Sequence, residues 1–271
     1  MNIKIMIATH KKYRMPVGIE YLPVHVGADG KESIGYVGDN TGDNISKKNP
    51  YYCELTGLYW GWKNLECDFL GLAHYRRHFC LKLKKSNDNF DSVLNSEQIK
   101  WLCSNYRAIL PKKRRYYIET LYTHYEHTHY SKHLDITRDI IKNKFPDYLK
   151  YFDSTLKQTY GYMFNMFVMS KDLVDMYCEW LFDILFELEK NVDCDESLNV
   201  NELSAFQARF YGRVSEIIFN VWLNYQMDNG VISKSQVKEI NCIHMEPINW
   251  ANKISSFLKA KFFKKKYGNS F

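Results

Sequence analysis

The sequence predicts an α/β protein built on an open, mostly parallel sheet with helices on its flanks. Apolar runs of strand length recur at 3–8, 68–73, 106–110 and 162–169, segments of helical period stand between them, and the first three runs each end in polar or basic side chains. Such a sheet binds its ligand beyond the carboxyl ends of its strands, so those exits are where a site is expected.

The first run gives way to Thr9-His10-Lys11, and residues 27–49, rich in Gly, Asp, Asn and Ser, read as a long surface loop. Asn49-Pro50 reads as an N-cap followed by proline at the first helical position. It opens a helix over 50–65 whose Leu55, Leu58, Tyr59, Trp62 and Leu65 share a face. The run 68–73 is apolar throughout, as suits a strand buried on both faces, and it delivers His74-Tyr75-Arg76-Arg77-His78. The third run delivers Lys112, Lys113, Arg114 and Arg115. Residues 116–160 are aromatic-rich and helical, divided by Pro146, and form an insertion suited to an acceptor lobe. After the strand at 162–169, Ser170 can cap a helix carrying Leu173, Tyr177, Leu181, Ile184, Leu185 and Leu188 on one face. Two more helices are expected at 201–211 and 214–227. The chain divides into one domain, 1–248, and a tail, 249–271.

That tail sets the charge balance. Six of the 37 basic residues lie in it with no acid, leaving 31 basic against 31 acidic side chains over 1–248. A neutral body argues against a nucleic-acid-binding protein, which the many Tyr residues would otherwise suit. Trp250, Ile254, Phe257, Leu258, Phe262 and Phe263 among the lysines suit attachment to an anionic membrane surface. The N-terminal apolar run is too short for a signal peptide or a spanning helix, and seven cysteines without a C-x-x-C pair suit a reducing compartment, so a cytoplasmic location is expected.

Several constellations carry chemistry. Arg76 and Arg77, at the exit of an apolar strand, can give bidentate donors to a diphosphate, whose negative charge they would stabilise as it leaves; pairing with surface carboxylates is the alternative. The loop from Asp39 to Ser46 has the polar density to bind ribose or sugar hydroxyls, or is simply solvated. Glu216, near a helix start, can act as a general base or as a capping acid. Asp193-Cys194-Asp195 matches the D-x-D pattern of metal and nucleotide binding but follows a helix in a polar stretch, which favours a solvated loop. His124, His127, His129 and His133 crowd one segment; the last two are spaced as ligands on one helical face, but no second ligand cluster supports a metal, and an exposed or acceptor-contacting aromatic helix is favoured.

With these residues the chain resembles a family of bacterial capsular and exopolysaccharide glycosyltransferases, long described as a domain of unknown function and including galactofuranosyltransferase-like members. The resemblance rests on ordered blocks: Ile7-Ala-Thr-His-Lys11, Asp39-Asn-Thr-Gly-Asp-Asn-Ile-Ser46, Asn49-Pro-Tyr-Tyr-Cys-Glu-Leu-Thr56, Gly71-Leu-Ala-His-Tyr-Arg-Arg77, Asn165-Met-Phe-Val-Met169 and Gly212-Arg-Val-Ser-Glu216. It implies a GT-A-like, that is Rossmann-like, fold and transfer of a hexosyl unit, galactosyl in pyranose or furanose form being favoured. The donor would be a UDP-sugar and the acceptor an undecaprenyl-linked oligosaccharide, at the inner face of the membrane. A non-catalytic membrane scaffold is the remaining alternative. The resemblance further implies that Thr9, His10, Lys11, Asp39, Thr41, Asp43, Asn44, His74, Tyr75 and Asn165 face the nucleotide-sugar. His74-Tyr-Arg-Arg77 stands where that fold usually carries its acidic metal motif, so no cofactor is required and Mg2+ or Mn2+ is disfavoured.

Overall fold

The structure is a computed structural model that describes residues 1–194 and 203–247, together with Asn249, Ser255 and Lys261. Most of the tail, Asp195 and the start of the helix expected at 201–211 lie outside the described residues.

A parallel half of the sheet is laid down first. β1 (Ile3–Thr9) pairs in parallel with β2 (Tyr21–His25), which pairs with the short β3 (Val37–Gly38). On its other side β1 pairs in parallel with β4 (Phe69–His74). After Asp68 the run is a strand buried on both faces from Phe69 to Ala73, as its apolarity predicts, and both of its edges are occupied as well.

The other half departs from the expected open, mostly parallel sheet. β9 (Phe167–Ser170) pairs antiparallel with both β4 and β6 (Ala108–Pro111), and so stands between them. β5 (Arg77–Cys80) pairs antiparallel with β10 (Val237–His244), which pairs in parallel with β6. A single pair, His74 with Arg77, joins β5 back to β4. The sheet is therefore mixed, and β4, β9, β6, β10 and β5 complete a ring. Gly71 makes the close approach possible: a Cβ there would lie 2.8 Å from Val168 and 3.0 Å from the carbonyl oxygen of Phe167.

One face carries α2 (Leu55–Asn64), α7 (Lys171–Asp193) and α8 (Phe210–Asp228), packed into a core with Tyr52, Phe167, Tyr177 and Trp222. The other carries α3 (Ser96–Asn105), whose Ile99 and Leu102 meet Ile3, Ile5 and Phe79. The insertion holds α4 (Leu121–Thr128), α5 (Lys132–Lys144) and α6 (Leu149–Leu156), with Pro146 in the 3-10 turn that separates the last two. A two-stranded ribbon of β7 (Arg114–Arg115) and β8 (Tyr160–Gly161) ties the two ends of the insertion together. None of the described helices is long and apolar enough to cross a membrane.

Several boundaries move. The helix expected over 50–65 breaks into α1 (Asn49–Tyr52) and α2, because Cys53 adopts φ +53°. Asn49 is the first helical residue rather than the cap, and its side chain donates forward to the Cys53 carbonyl at 2.7 Å and to Thr56 at 3.1 Å, closing the break. Ser170 stands at the N-cap of α7 without a side-chain cap bond. The strand expected at 162–169 begins only at Phe167, since Phe164 and Asn165 are left-handed. Of the two late helices, one continuous α8 is found over 210–228.

Candidate functional site

The exits of β1 and β4 meet as expected. Tyr75 is buried and gathers its neighbours: His10 stands edge-on to it at 5.3 Å, Tyr13 at 5.0 Å, the Lys11 ammonium lies 5.3 Å from its ring and the Arg76 guanidinium 5.2 Å. Burial and the nearby charges of Lys11, Arg76, Arg209 and Lys31 hold the His10 imidazole below its ordinary pKa. Cations from four separate segments thus act on the exposed imidazole of His10, beside the buried Tyr75. Arg76 has one acidic partner there, Glu246 at 3.2 Å, and half of its side chain stays open to solvent. Thr9 sits apart from this work, buried, with its hydroxyl donating to the Lys11 carbonyl at 2.7 Å to shape the turn.

Beneath this rim lies a second layer. Arg77 turns inward, 3.8 Å over the ring of Phe164, with its Nε 3.4 Å from His244. His74 Nε2 meets the Phe164 carbonyl at 2.7 Å, and burial lowers its pKa. The next residue, Asn165, is left-handed at φ +49°, a conformation asparagine tolerates better than most residues. It donates from Nδ2 to Glu54 at 2.7 Å and to the Gly212 carbonyl at 3.0 Å, and accepts from Ser215 at 2.8 Å. One side chain thereby locks the start of α2 to the first turns of α8.

Glu216 is the most consequential member. It is buried, and burial raises its pKa, with Glu54 pushing the same way while Arg213, Arg77 and Arg114 oppose. Arg213 lies 3.8 Å from it. A buried carboxyl with its pKa raised, set among guanidinium groups, suits general-base work.

Sequence reading gave no role to Glu54 or Arg209, and placed Arg114 at a strand exit without linking it to Glu216. Four expected sugar-binding residues have partners within the protein, although Thr41 and Asp43 among them are exposed. Asp39 is fully buried and accepts from the Gly27 and Ala28 amides at 2.8 and 3.0 Å, from Thr56 at 2.6 Å and from Ser46, so its lone pairs are spent inside the protein. Thr41 accepts from Trp60, Asp43 accepts from Tyr59 and donates its amide to Asn64, and the Asn44 amide donates to Gly42. Trp60 and Asn64 belong to the far end of α2, a helix of ten residues and about 15 Å, whose opposite end carries Glu54. Polar density could not distinguish a loop satisfied from within from one that faces a ligand.

The histidines are also placed differently from the exposed helix expected. His129 ends α4 and His133 lies in α5, so they share no helical face; both are buried. His129 meets Gln207 at 3.0 Å, and His133 stacks on Phe210 at 3.8 Å. His124 and His127 grip the buried Glu119 at 2.8 and 2.7 Å, and Lys261 from the tail comes within 3.9 Å of the same carboxylate. Among the described residues no group of three potential ligands is arranged to hold a metal ion. A separate cleft of about 690 Å³, lined by Arg14, Val17, Lys82, Lys84, Phe90 and Asp91 among others, shares none of the residues around Glu216.

A family described as a domain of unknown function, DUF4422, matches residues 4–227. Among solved structures the chain is similar to one described as the apo form of WbbM, a bifunctional glycosyltransferase, with 32% sequence identity and a TM-score of 0.80. That similarity covers 91% of this chain but 46% of the other, so this chain spans about half its length. No curated protein matches.

Proposed function

The chain belongs to the DUF4422 family, and from its similarity to a solved glycosyltransferase and the charged cluster around Glu216 we propose that it is a glycosyltransferase. It moves a hexosyl unit, galactosyl in pyranose or furanose form, from a UDP-sugar to a lipid-linked oligosaccharide of a capsule, exopolysaccharide or O-antigen. The observation that carries the reading is the gathering of positive charge at two adjoining points: Lys11, Lys31, Arg76 and Arg209 act on His10 at the strand exit, and Arg77, Arg114 and Arg213 act on the buried Glu216, with Arg213 3.8 Å away.

The two points divide the reaction. Breaking the sugar–phosphate bond leaves a diphosphate that has gained negative charge, and the cationic rim is in place before that charge develops. Glu216 takes the proton of the acceptor hydroxyl as its oxygen bonds to the anomeric carbon, so a single displacement inverts that carbon. Glu54 and Asn165 hold the start of α8, and with it Glu216, in position. The basic tail places the enzyme at the inner face of the membrane, where the acceptor is anchored.

Transfer measured across a panel of nucleotide sugars, with and without a chelator, tests the reading. Arg76→Ala and Arg77→Ala should each lower turnover by about tenfold or more in a folded protein. Wild-type turnover in both variants would remove the diphosphate from this cleft.

A further inference from the structure

The segment between β7 and α4 holds an exposed aromatic residue in a strained conformation. The Ile118 amide donates to the Tyr116 carbonyl at 2.7 Å, closing a three-residue turn around Tyr117, whose φ is +58°. A turn of this hand is rare for a residue with a side chain and persists only where its flanks over-determine it. Here they do. Tyr116 donates its amide to Thr159 at 2.8 Å and packs its ring 4.2 Å from His124; Glu119 is buried against His124 and His127; Thr120 caps α4.

The protein itself makes little use of what this turn displays, since Tyr117 is 81% exposed and Ile118 67%. Yet the segment borders the reaction centre. Arg114, three residues earlier, pairs across the ribbon with Gly161, and the adjoining Tyr162 amide donates at 2.7 Å to Asn220, one turn along α8 from Glu216, on which Arg114 also acts electrostatically. The segment follows β6, on the other side of β4 from β1, whose exit bears His10. The donor's diphosphate is assigned to that exit, which leaves the Tyr117 side for the second substrate.

We propose that Tyr117, supported by Ile118, is the platform on which an acceptor saccharide lies, its C–H face against the phenol ring. The proposal rests on the glycosyltransferase reading above and adds the acceptor's position to it. A sugar ring has an apolar face that an aromatic ring matches, and a rigid exposed tyrosine gives contact area with little entropy left to lose. The strain is consistent with a side chain kept for what it meets rather than for what it stabilises.

The experiment uses octyl galactoside, octyl glucoside and octyl mannoside as acceptor probes with the full chain. Calorimetry without donor should show Tyr117→Ala weakening the binding of whichever probe the wild type holds by about tenfold, with Tyr117→Phe and Tyr117→Trp close to wild type. In turnover the same variant should raise the acceptor KM and leave the donor KM and acceptor-independent donor hydrolysis unchanged. Tyr117→Gly should lose binding equally but melt at a higher temperature than Tyr117→Ala, because glycine accepts the positive φ. Unchanged binding in Tyr117→Ala, or no wild-type binding of any probe, overturns the platform. So does loss of binding to anionic vesicles with unchanged probe affinity, which would make the tip a lipid contact. Probe binding that depends on Tyr117 in a chain that consumes no nucleotide sugar would instead keep the platform and sink the glycosyltransferase reading.

Discussion

The side-chain amide of Asn165 donates to Glu54 at 2.7 Å across 111 residues of sequence, tying the start of α2 to α8. Its Oδ1 and Nδ2 also engage Ser215 and Gly212, so it reads both helices that frame Glu216. Asn165→Ala should cost about 2–4 kcal/mol, the sum of an unpaired Glu54 oxygen, a lost bond to Ser215 and a left-handed alanine. Urea unfolding measures it, and a midpoint within error of wild type would deny the lock.

Glu216 sets the acid limb of the rate. Because burial and Glu54 raise its pKa, kcat/KM should climb with pH until the proton is lost, with its acid limb displaced upward from that of an ordinary glutamate. Glu216→Gln should lower transfer by about a hundredfold or more while UDP binding is retained. An acid limb at the ordinary carboxylate value, or a Gln variant near wild-type rate, would assign the base elsewhere.

Stability should fall on the acid side for a different reason. Burial pushes His78 down to about 4 and His129 down to about 3 from 6.5. The unfolded chain therefore binds more protons than the folded one between 6.5 and those values, so stability is full above 6.5 and is lost as pH drops. Each histidine contributes a slope of about 1.4 kcal/mol per pH unit in its window. His78→Phe should flatten the pH dependence of the urea midpoint between 4 and 6.5 by about one proton's worth; an unchanged slope would mean His78 is protonated in the folded protein.

Gly71 reports on the unexpected strand order. Gly71→Ala drives a methyl into Val168 and the Phe167 carbonyl and should cost about 1–3 kcal/mol, read as a lower melting temperature. Were β9 not beside β4, alanine would be tolerated.

What the sequence disclosed follows from which forces are local. The strand at 68–73 was legible because burial on both faces writes itself as unbroken apolarity, and Arg76 and Arg77 at its exit followed from it. Strand direction writes nothing, so the antiparallel β9 could not be foreseen from Val168 and Met169. β5 and β10 interleave apolar with polar and charged side chains and were passed over, although β10 supplies His244 beside Arg77. The break at Cys53 was hidden because cysteine has no turn preference; the cause is the Asn49 side chain acting four residues ahead. Glu54 is recognisable only once that break aims it at Asn165.

The ring of β4, β9, β6, β10 and β5 also fixes when the cleft can be completed. Arg77 lies early in the chain, but its cross-strand neighbour His244 and the Met245 amide that donates to the Arg76 carbonyl at 2.9 Å leave the ribosome some 170 residues later. At a typical elongation rate of about 5–20 residues per second, the guanidinium pair would wait on the order of ten seconds or more before its strand is clamped. A nascent chain stalled before residue 237 would carry the cationic rim without its last wall, and would be unable to charge itself with substrate too soon.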